Sequence, residues 1–163
     1  MAPTGNPLRE ALDARDPEMA RAAFAEGVIV RSPIFSVEFD GADEATDVFS
    51  AVYEALGEVE YLYDEPGDPH VFIWCSDVDG EPLEGTDVVR YDNDNKVVEV
   101  TVFMRPLRGI AAFLDKTGPI LAKRRGKSAL LIKAAAPPPS AAMRMLAGLG
   151  PRMLGLKRAK RGA

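Results

Sequence analysis

The most constraining feature of this sequence is a long stretch of alternating apolar and polar residues that is interrupted twice by turn signals. Asp79-Gly80 separates residues 70–78 from residues 81–91, and the polar run 92–95 separates the latter from residues 96–105. An Asp-Gly pair between two alternating segments is the strongest short-range signal of a β-hairpin. The sequence therefore predicts three successive antiparallel strands, the last of which ends at Pro106.

The residues before these strands have the spacing of amphipathic helices rather than strands. Asp16-Pro17 is typical of a helix start, and Gly27 is expected to end that helix. Together the patterns predict helices over 8–15, 17–26 and 43–56, short strands over 28–30 and 59–64, and a closing helix around 110–121. Helices grouped ahead of an antiparallel meander indicate an α+β domain with the helices packed on one face of the sheet.

Charge divides the chain into two parts. The net charge is −5, yet all 25 acidic residues precede Thr117. The charged residues from Thr117 to Ala163 are all basic. This pattern predicts an acidic globular domain over 1–125 and a basic tail over 126–163 that is partly flexible or helical. Three interpretations of the tail stay open: contact with an anionic membrane, binding to phosphates without sequence preference, and a flexible tail resting on the acidic domain.

Composition excludes several kinds of site. With one cysteine and one histidine, the chain can form neither an internal disulfide nor a zinc site that needs several such ligands. The sequence contains no P-loop, dinucleotide-binding glycine motif or Gly-x-Ser-x-Gly motif, so we expect no cofactor and no metal. The first ten residues lack a secretory pattern and no apolar run could span a membrane, which predicts a cytoplasmic protein.

Pairing the predicted strands isolates one carboxylate. Counting back from Asp79-Gly80 places Phe72 opposite Asp87, and a second turn centred on residues 93–94 places Asp87 opposite Val100. One face of the sheet then contains His70, Phe72, Trp74, Ser76, Asp87, Val89, Tyr91, Val98, Val100, Val102 and Met104. Asp87 is the only carboxylate on this apolar face, which we expect to pack against the helices.

A carboxylate on an apolar face loses hydration, which raises its pKa toward the range where it can act as a general acid or base near neutral pH. We therefore predict Asp87 as a catalytic residue, with His70 diagonally across the ladder as its partner. The expected ligand-binding residues are Tyr53, Tyr61, Tyr63, Phe72, Trp74, Tyr91, Val100, Val102 and Met104. Three alternatives stay open: an inward aspartate that only holds two layers together, a structural role for His70, and a one-residue slip that turns Asp87 outward.

These segments resemble the SnoaL-like branch of the nuclear transport factor 2-like superfamily. The resemblance is carried by residues 28–34, by Gly41 with the helix 43–56, and by the strand segments 83–90 and 97–106, within a match over residues 6–115. It implies a cone-shaped domain, in which a strongly curved, mainly antiparallel sheet wraps around helices and a deep pocket, often in homodimers. Relatives include polyketide cyclases, ketosteroid isomerases, limonene-epoxide hydrolases, dehydratases and non-catalytic binding modules, so the fold alone does not assign a reaction.

Individual residues narrow the choice of reaction. Asp87 looks like the pocket aspartate of several enzymatic branches, but Gly85 stands where the epoxide hydrolases have an arginine, and Val102 where they have a second carboxylate. The resemblance therefore implies cofactor-independent proton transfer, as in an isomerase, cyclase or dehydratase, on a small apolar or partly polar ligand. The alternative is a non-catalytic binding or dimerisation module whose basic tail docks on an anionic membrane or polyanion, without sequence-specific nucleic-acid binding.

Overall fold

Six strands form a single curved sheet in the order β2-β1-β6-β5-β4-β3. The computed structural model describes residues 6–127 and the isolated residues 145, 147, 149 and 153. The elements are α1 (Pro7–Ala14), α2 (Pro17–Ala23), β1 (Phe24–Arg31), β2 (Glu38–Asp40), α3 (Ala42–Ala55), β3 (Glu60–Glu65), β4 (His70–Val78), β5 (Glu81–Tyr91), β6 (Val97–Arg105) and α4 (Leu107–Arg124). Apart from these positions, the expected basic tail 126–163 lies outside the described residues.

The expected α+β class is confirmed, and the sheet is antiparallel except where β1 runs parallel to β6. Helices α3 and α4 pack against each other, and α4 also contacts β4, β5 and β6. Between helices and sheet lies a core whose largest fully buried side chains are Phe72, Leu8, Leu83, Val28, Val78, Val89, Val97 and Val100. Among the described residues, no helix has both the length and the apolar character needed to cross a membrane.

The start of α2 follows its sequence signals, but its end does not. The Asp16 side chain accepts hydrogen bonds from the backbone of Glu18 and Met19, with Pro17 in the first turn. The expectation that Gly27 ends this helix is wrong, because the chain is already extended at Phe24, which is 3% exposed and pairs with Val97 of β6. Pairing with a strand distant in sequence outweighs the local helical spacing here.

The first hairpin has the predicted register: Phe72 lies opposite Asp87 and Trp74 opposite Gly85. The second hairpin is shifted by two residues, so that Val102, and not Val100, lies opposite Asp87.

Two local features produce this shift. The Asp92 side chain accepts hydrogen bonds from the backbone of Asp94 and Lys96, which widens the turn, and a bulge follows Arg90. The bulge also places Val97 in the fully buried position expected for Val98. Because a shift of two residues preserves the alternation of faces, Asp87 still points toward the helices.

Candidate functional site

A cavity of about 110 Å³ lies between the concave face of the sheet and helices α3 and α4. Most of its walls are apolar, and Asp87 is the only acidic side chain among the lining residues in the described part of the chain. The lining comprises Leu12, Arg15, Val30, Ser32, Pro33, Ile34, Phe35, Phe39, Val48, Phe49, Val52, Tyr53, Leu56, Val59, Tyr61, Trp74, Asp87, Val102, Met104, Phe113, Leu114, Thr117, Gly118 and Leu121.

Asp87 is 4% exposed and receives one hydrogen bond from its surroundings. The indole Nε1 of Trp74 donates to Oδ2 over 3.1 Å, whereas Oδ1 has no partner among the described residues. Burial raises the pKa of Asp87 to about 7, and the hydrogen bond from Trp74 offsets part of that rise because it favours the ionised form. At neutral pH the side chain therefore exists in both protonation states, with one oxygen available to a ligand.

Gly85 permits this hydrogen bond. A Cβ on Gly85 would lie 2.1 Å from Cζ2 and 2.3 Å from Cε2 of Trp74, far inside van der Waals contact. The indole thus lies directly over the backbone of the neighbouring strand, and its Nε1 reaches Asp87 two residues further along β5. Gly85 is therefore required by the packing of Trp74.

Two hydroxyl groups on the helix walls also lack partners. Tyr53 on α3 and Thr117 on α4 are 7% and 9% exposed, and neither hydroxyl has a hydrogen-bond partner among the residues described. Burial, together with the negative charges of Tyr61 and Asp87 in their ionised forms, raises the pKa of Tyr53 well above its ordinary value. Its hydroxyl therefore remains protonated and can donate a hydrogen bond to a ligand.

Arg15 holds the end of α3 in place next to the cavity. Its guanidinium donates to the carbonyl oxygens of Tyr53 over 3.1 Å and of Gly57 over 2.5 Å. The Tyr53 carbonyl belongs to the last turn of α3, where carbonyls have no partner within the helix, and Gly57 follows shortly after the helix ends at Ala55. The cation is thus engaged with backbone, and it anchors the helix turn that carries Tyr53.

The loop between β1 and β2 forms one wall of the cavity. The Ser32 hydroxyl accepts hydrogen bonds from the backbone N–H groups of Ile34 and Phe35, which stabilises the bend predicted at Ser32-Pro33. Phe35 belongs to the lining yet is 49% exposed, so it lies where the cavity meets the protein surface.

The structure brings together about half of the residues predicted for the site. Asp87 lines the cavity, as do the predicted ligand-binding residues Tyr53, Tyr61, Trp74, Val102 and Met104. Four others lie outside the lining, namely Tyr63, Phe72, Tyr91 and Val100. Phe72 and Val100 are completely buried in the core. For Val100 the reason is the shifted register, which pairs it with Val89 and places Val102 beside Asp87. The Tyr91 hydroxyl instead donates to Asn6 Oδ1 over 2.5 Å.

A bulge in β3 explains the position of Tyr63. The expectation that Tyr61 and Tyr63 share one side of the strand is wrong, because Leu62 is an extra residue between them and Tyr63 is 69% exposed. The same bulge places Asp64 opposite Phe72, on the concave side of the sheet.

His70 pairs with this Asp64 and not with Asp87, contrary to the prediction. Its Nε2 lies 2.5 Å from Asp64 Oδ1, and Arg9 donates to the other oxygen of the same carboxylate. Burial would raise the pKa of Asp64, but the hydrogen bonds from His70 and Arg9 outweigh burial and hold it below its ordinary value. Since His70 is 3% exposed and absent from the cavity lining, it joins β3, β4 and α1 outside the candidate site.

Sequence reasoning missed Thr117, although the signal was present. The sequence around the predicted closing helix contains the apolar residues Phe113, Leu114 and Leu121, and Thr117 lies three or four residues from each of them, which is helical spacing. A polar residue at this spacing from apolar residues could have been identified as a candidate in the same way as Asp87. Within the described ranges, no cluster of three or more His, Cys, Asp or Glu side chains is arranged to hold a metal ion.

Comparisons with known proteins identify solved structures with a similar fold. No family model matches the sequence, and no curated protein matches it significantly. Among solved structures, a steroid delta-isomerase from Pseudomonas aeruginosa is similar, with a TM-score of 0.67 and 22% identity over 72% of this chain and 88% of that protein. An uncharacterised protein with a cystatin-like fold from Silicibacter pomeroyi has a TM-score of 0.68 and 22% identity, covering 82% of this chain and 92% of its own.

A third similar structure is an NTF2-like protein of unknown function from Mesorhizobium loti, with a TM-score of 0.55 and 15% identity over 61% of this chain and 85% of that one. At these identities the similarity establishes the architecture, while the reaction must be argued from the cavity itself.

Proposed function

We propose that this chain, which has the fold of nuclear transport factor 2-like proteins, catalyses cofactor-independent proton transfer on a small, mainly apolar molecule. The observation that carries this proposal is the Asp87 carboxyl, buried in an apolar cavity, with a pKa of about 7 and one oxygen without a partner. A general acid or base is most effective when its pKa lies near the working pH.

The proposed reaction begins with ionised Asp87 as the base. Oδ1 takes a proton from the carbon that lies between a substrate carbonyl and a C=C bond, so a C–H bond breaks, an O–H bond forms and the electron pair moves onto the carbonyl oxygen as a dienolate. Neutral Asp87 then returns the proton to another carbon of the same system, and the product is an isomer of the substrate. Atoms and charges balance without an oxidant, a reductant or a cofactor.

Tyr53 is suited to stabilise the dienolate oxygen. Its hydroxyl lines the same cavity, has no partner among the described residues and stays protonated because burial raises its pKa. A preorganised donor in a water-poor cavity stabilises a developing negative charge more strongly than the same donor in water. We assign Asp87 as the proton carrier and Tyr53 as the hydrogen-bond donor, and His70, predicted as catalytic, has no part in this assignment.

The fold supports the reaction class without specifying the substrate. One similarly folded protein is named a steroid delta-isomerase. Isomerisation of that kind moves a proton between carbons, which one buried acid/base and one donor can perform. Cyclisation and dehydration also begin with proton transfer and remain variants of the same proposal.

The direct test is exchange of the α-hydrogens of cyclohexanone with deuterium in D2O, followed by NMR. The wild-type protein should accelerate exchange, and kcat/KM should rise as pH increases through about 7, where the Asp87 base becomes ionised. D87N should abolish exchange, while the matched variant D94N in the exposed turn after β5 should leave it unchanged. Exchange by D87N at the wild-type rate would refute the assignment, and bound ketone without exchange would indicate a non-catalytic binding protein.

A further inference from the structure

The size of the cavity restricts the ligand. The cavity measures about 110 Å³, whereas an engineered apolar cavity of ~150 Å³ holds benzene. The space that these walls enclose is therefore suited to one ring. The four fused rings of a steroid would fit only if the cavity expanded or if the steroid extended through the mouth beside Phe35. A single-ring ligand would differ from a steroid, which is the kind of substrate that the name of the similarly folded steroid delta-isomerase gives for that protein.

Thr117 contributes a second kind of polar group to the cavity wall, a hydroxyl on α4. A threonine inside a helix usually bonds to the carbonyl four residues earlier, as Thr46 does with Ala42 over 2.7 Å. Thr117 also lies within a helix and is 9% exposed, yet its Oγ1 makes no such bond and has no other partner in the described part of the chain. Since an unpaired buried hydroxyl is costly, a ligand group that pairs with Thr117 would remove that cost.

The unpaired polar groups come from different walls. Asp87 extends from β5 in the sheet, whereas Thr117 extends from α4, which lies across the sheet. Tyr53 extends from α3 and lines the same cavity as Asp87. A ligand in contact with Asp87 and Tyr53 thus has a separate hydroxyl, that of Thr117, available elsewhere on its surface.

We infer that the substrate is a single-ring ketone that carries a second polar group. Thr117 on α4 binds this second group, while the ketone carbonyl faces Asp87 and Tyr53. This inference rests on the proposed function for the role of the carbonyl, but the size limit and the Thr117 contact depend only on the cavity. Thr117 is a specificity residue in this assignment and takes no part in the proton transfer.

Binding measurements test the inference independently of turnover. The probes are cyclohexanone, 3-hydroxycyclohexanone and 4-hydroxycyclohexanone, titrated into the full-length protein by calorimetry or NMR. At least one hydroxyketone should bind the wild type roughly three- to tenfold more tightly than cyclohexanone, the range for one neutral hydrogen bond. T117V, which replaces the hydroxyl by a methyl group of similar size, should remove that preference. T46V should retain it, because the Thr46 hydroxyl already bonds to its own helix.

A second probe tests the size limit. Androstane-3,17-dione, a four-ring ketone, should bind at least tenfold more weakly than the preferred single-ring ketone, since the cavity would have to expand to enclose all four rings. Equal preference in wild type and T117V, tighter binding of the steroid, or binding of none of the single-ring ketones would each overturn the inference. Measuring both deuterium exchange and these titrations in D87N separates the two proposals. Loss of exchange with a retained preference for the hydroxyketone supports both proposals, whereas retained exchange in D87N refutes only the proposed function.

Discussion

The indole ring of Trp74 lies directly over the backbone of Gly85, its partner across the first hairpin, at a distance that leaves no room for a Cβ. From this position Trp74 Nε1 donates to Asp87, the acidic group of the cavity. The register of one hairpin thus controls the environment of the candidate catalytic carboxyl, and each part of the relationship can be tested.

Replacing Gly85 by alanine should displace Trp74. The added Cβ would lie 2.1 Å from the ring, so either the ring or the strand must move, and overpacking of this kind costs about 1–3 kcal/mol of the free energy of unfolding. The measurement is urea unfolding, combined with the fluorescence of Trp74, the only tryptophan of the chain.

The matched control for this substitution is G27A in β1, where a Cβ would meet nothing within 4 Å. That variant should be as stable as the wild type or slightly more stable, because glycine in a strand is entropically unfavourable. Equal stability of G85A and G27A, with unchanged fluorescence, would contradict the close packing of Gly85 and Trp74.

Removing the indole donor should raise the pKa of Asp87. In W74F the carboxylate loses the hydrogen bond that favours its ionised form, so the pKa should move above about 7. Hydrogen bonds to charged groups contribute about 1.5–3 kcal/mol, which corresponds to a rise of roughly one to two pH units. The Asp87 carboxyl carbon, followed by NMR in wild type and W74F, reports the two midpoints, and a midpoint that stays or falls would count against the assigned bond.

The ionisation of Asp87 should make folding depend on pH. Its pKa in the folded protein, about 7, exceeds the unfolded value near 3.9, so the folded state binds the proton more tightly. The contribution that protonated Asp87 makes to the free energy of unfolding is therefore fully present below about pH 4 and is lost as pH rises through about 7. The total loss is up to roughly 4 kcal/mol.

D87N lacks this titration and keeps an oxygen that can accept from Trp74. Relative to D87N, the wild type should lose stability steadily in urea unfolding between pH 4 and pH 8. A stability difference that is the same at both ends of this range would show that Asp87 ionises normally in the folded protein.

The pair formed by Asp64 and His70 should contribute to stability but not to chemistry. In D64N, His70 and Arg9 lose a charged acceptor, which should cost about 1–3 kcal/mol of the free energy of unfolding at pH 7. Because the pKa of Asp64 is lowered in the folded state, this contribution is present above about pH 4 and disappears as the carboxylate is protonated in acid. Urea unfolding at pH 7 and pH 3 gives the comparison.

D68N is the control for this substitution, since the ion pair of Asp68 with Arg90 is exposed and 3.5 Å long. Such pairs contribute little, so D68N should stay within about 0.5 kcal/mol of the wild type. Deuterium exchange of cyclohexanone should be unchanged in D64N. A marked loss of exchange without a loss of stability would instead indicate that the Asp64–His70 pair takes part in the reaction.

The two hairpins illustrate how far sequence reasoning extends. The first could be aligned residue by residue, because Asp79-Gly80 allows a tight turn and nothing interrupts the ladder behind it. The second was misaligned by two residues, because the side chain of Asp92 organises a wider turn and the bulge after Arg90 leaves no clear pattern in the sequence. Asp87 nonetheless remained on the predicted face, since an even shift preserves the alternation.

The sequence by itself determined the class of fold, most element boundaries and the placement of one acidic residue on an apolar face, because periodicity and turn chemistry act between residues that are neighbours along the chain. Tertiary structure alone decided the partners: His70 bonds to Asp64, β1 extends back to Phe24 beside β6, and Thr117 faces the same cavity as Asp87. Two of these contacts join segments far apart in sequence. His70 and Asp64 are only six residues apart, but Asp64 faces His70 because of the bulge in β3. The geometry of all three depends on how bulges and helices pack, which no local pattern encodes.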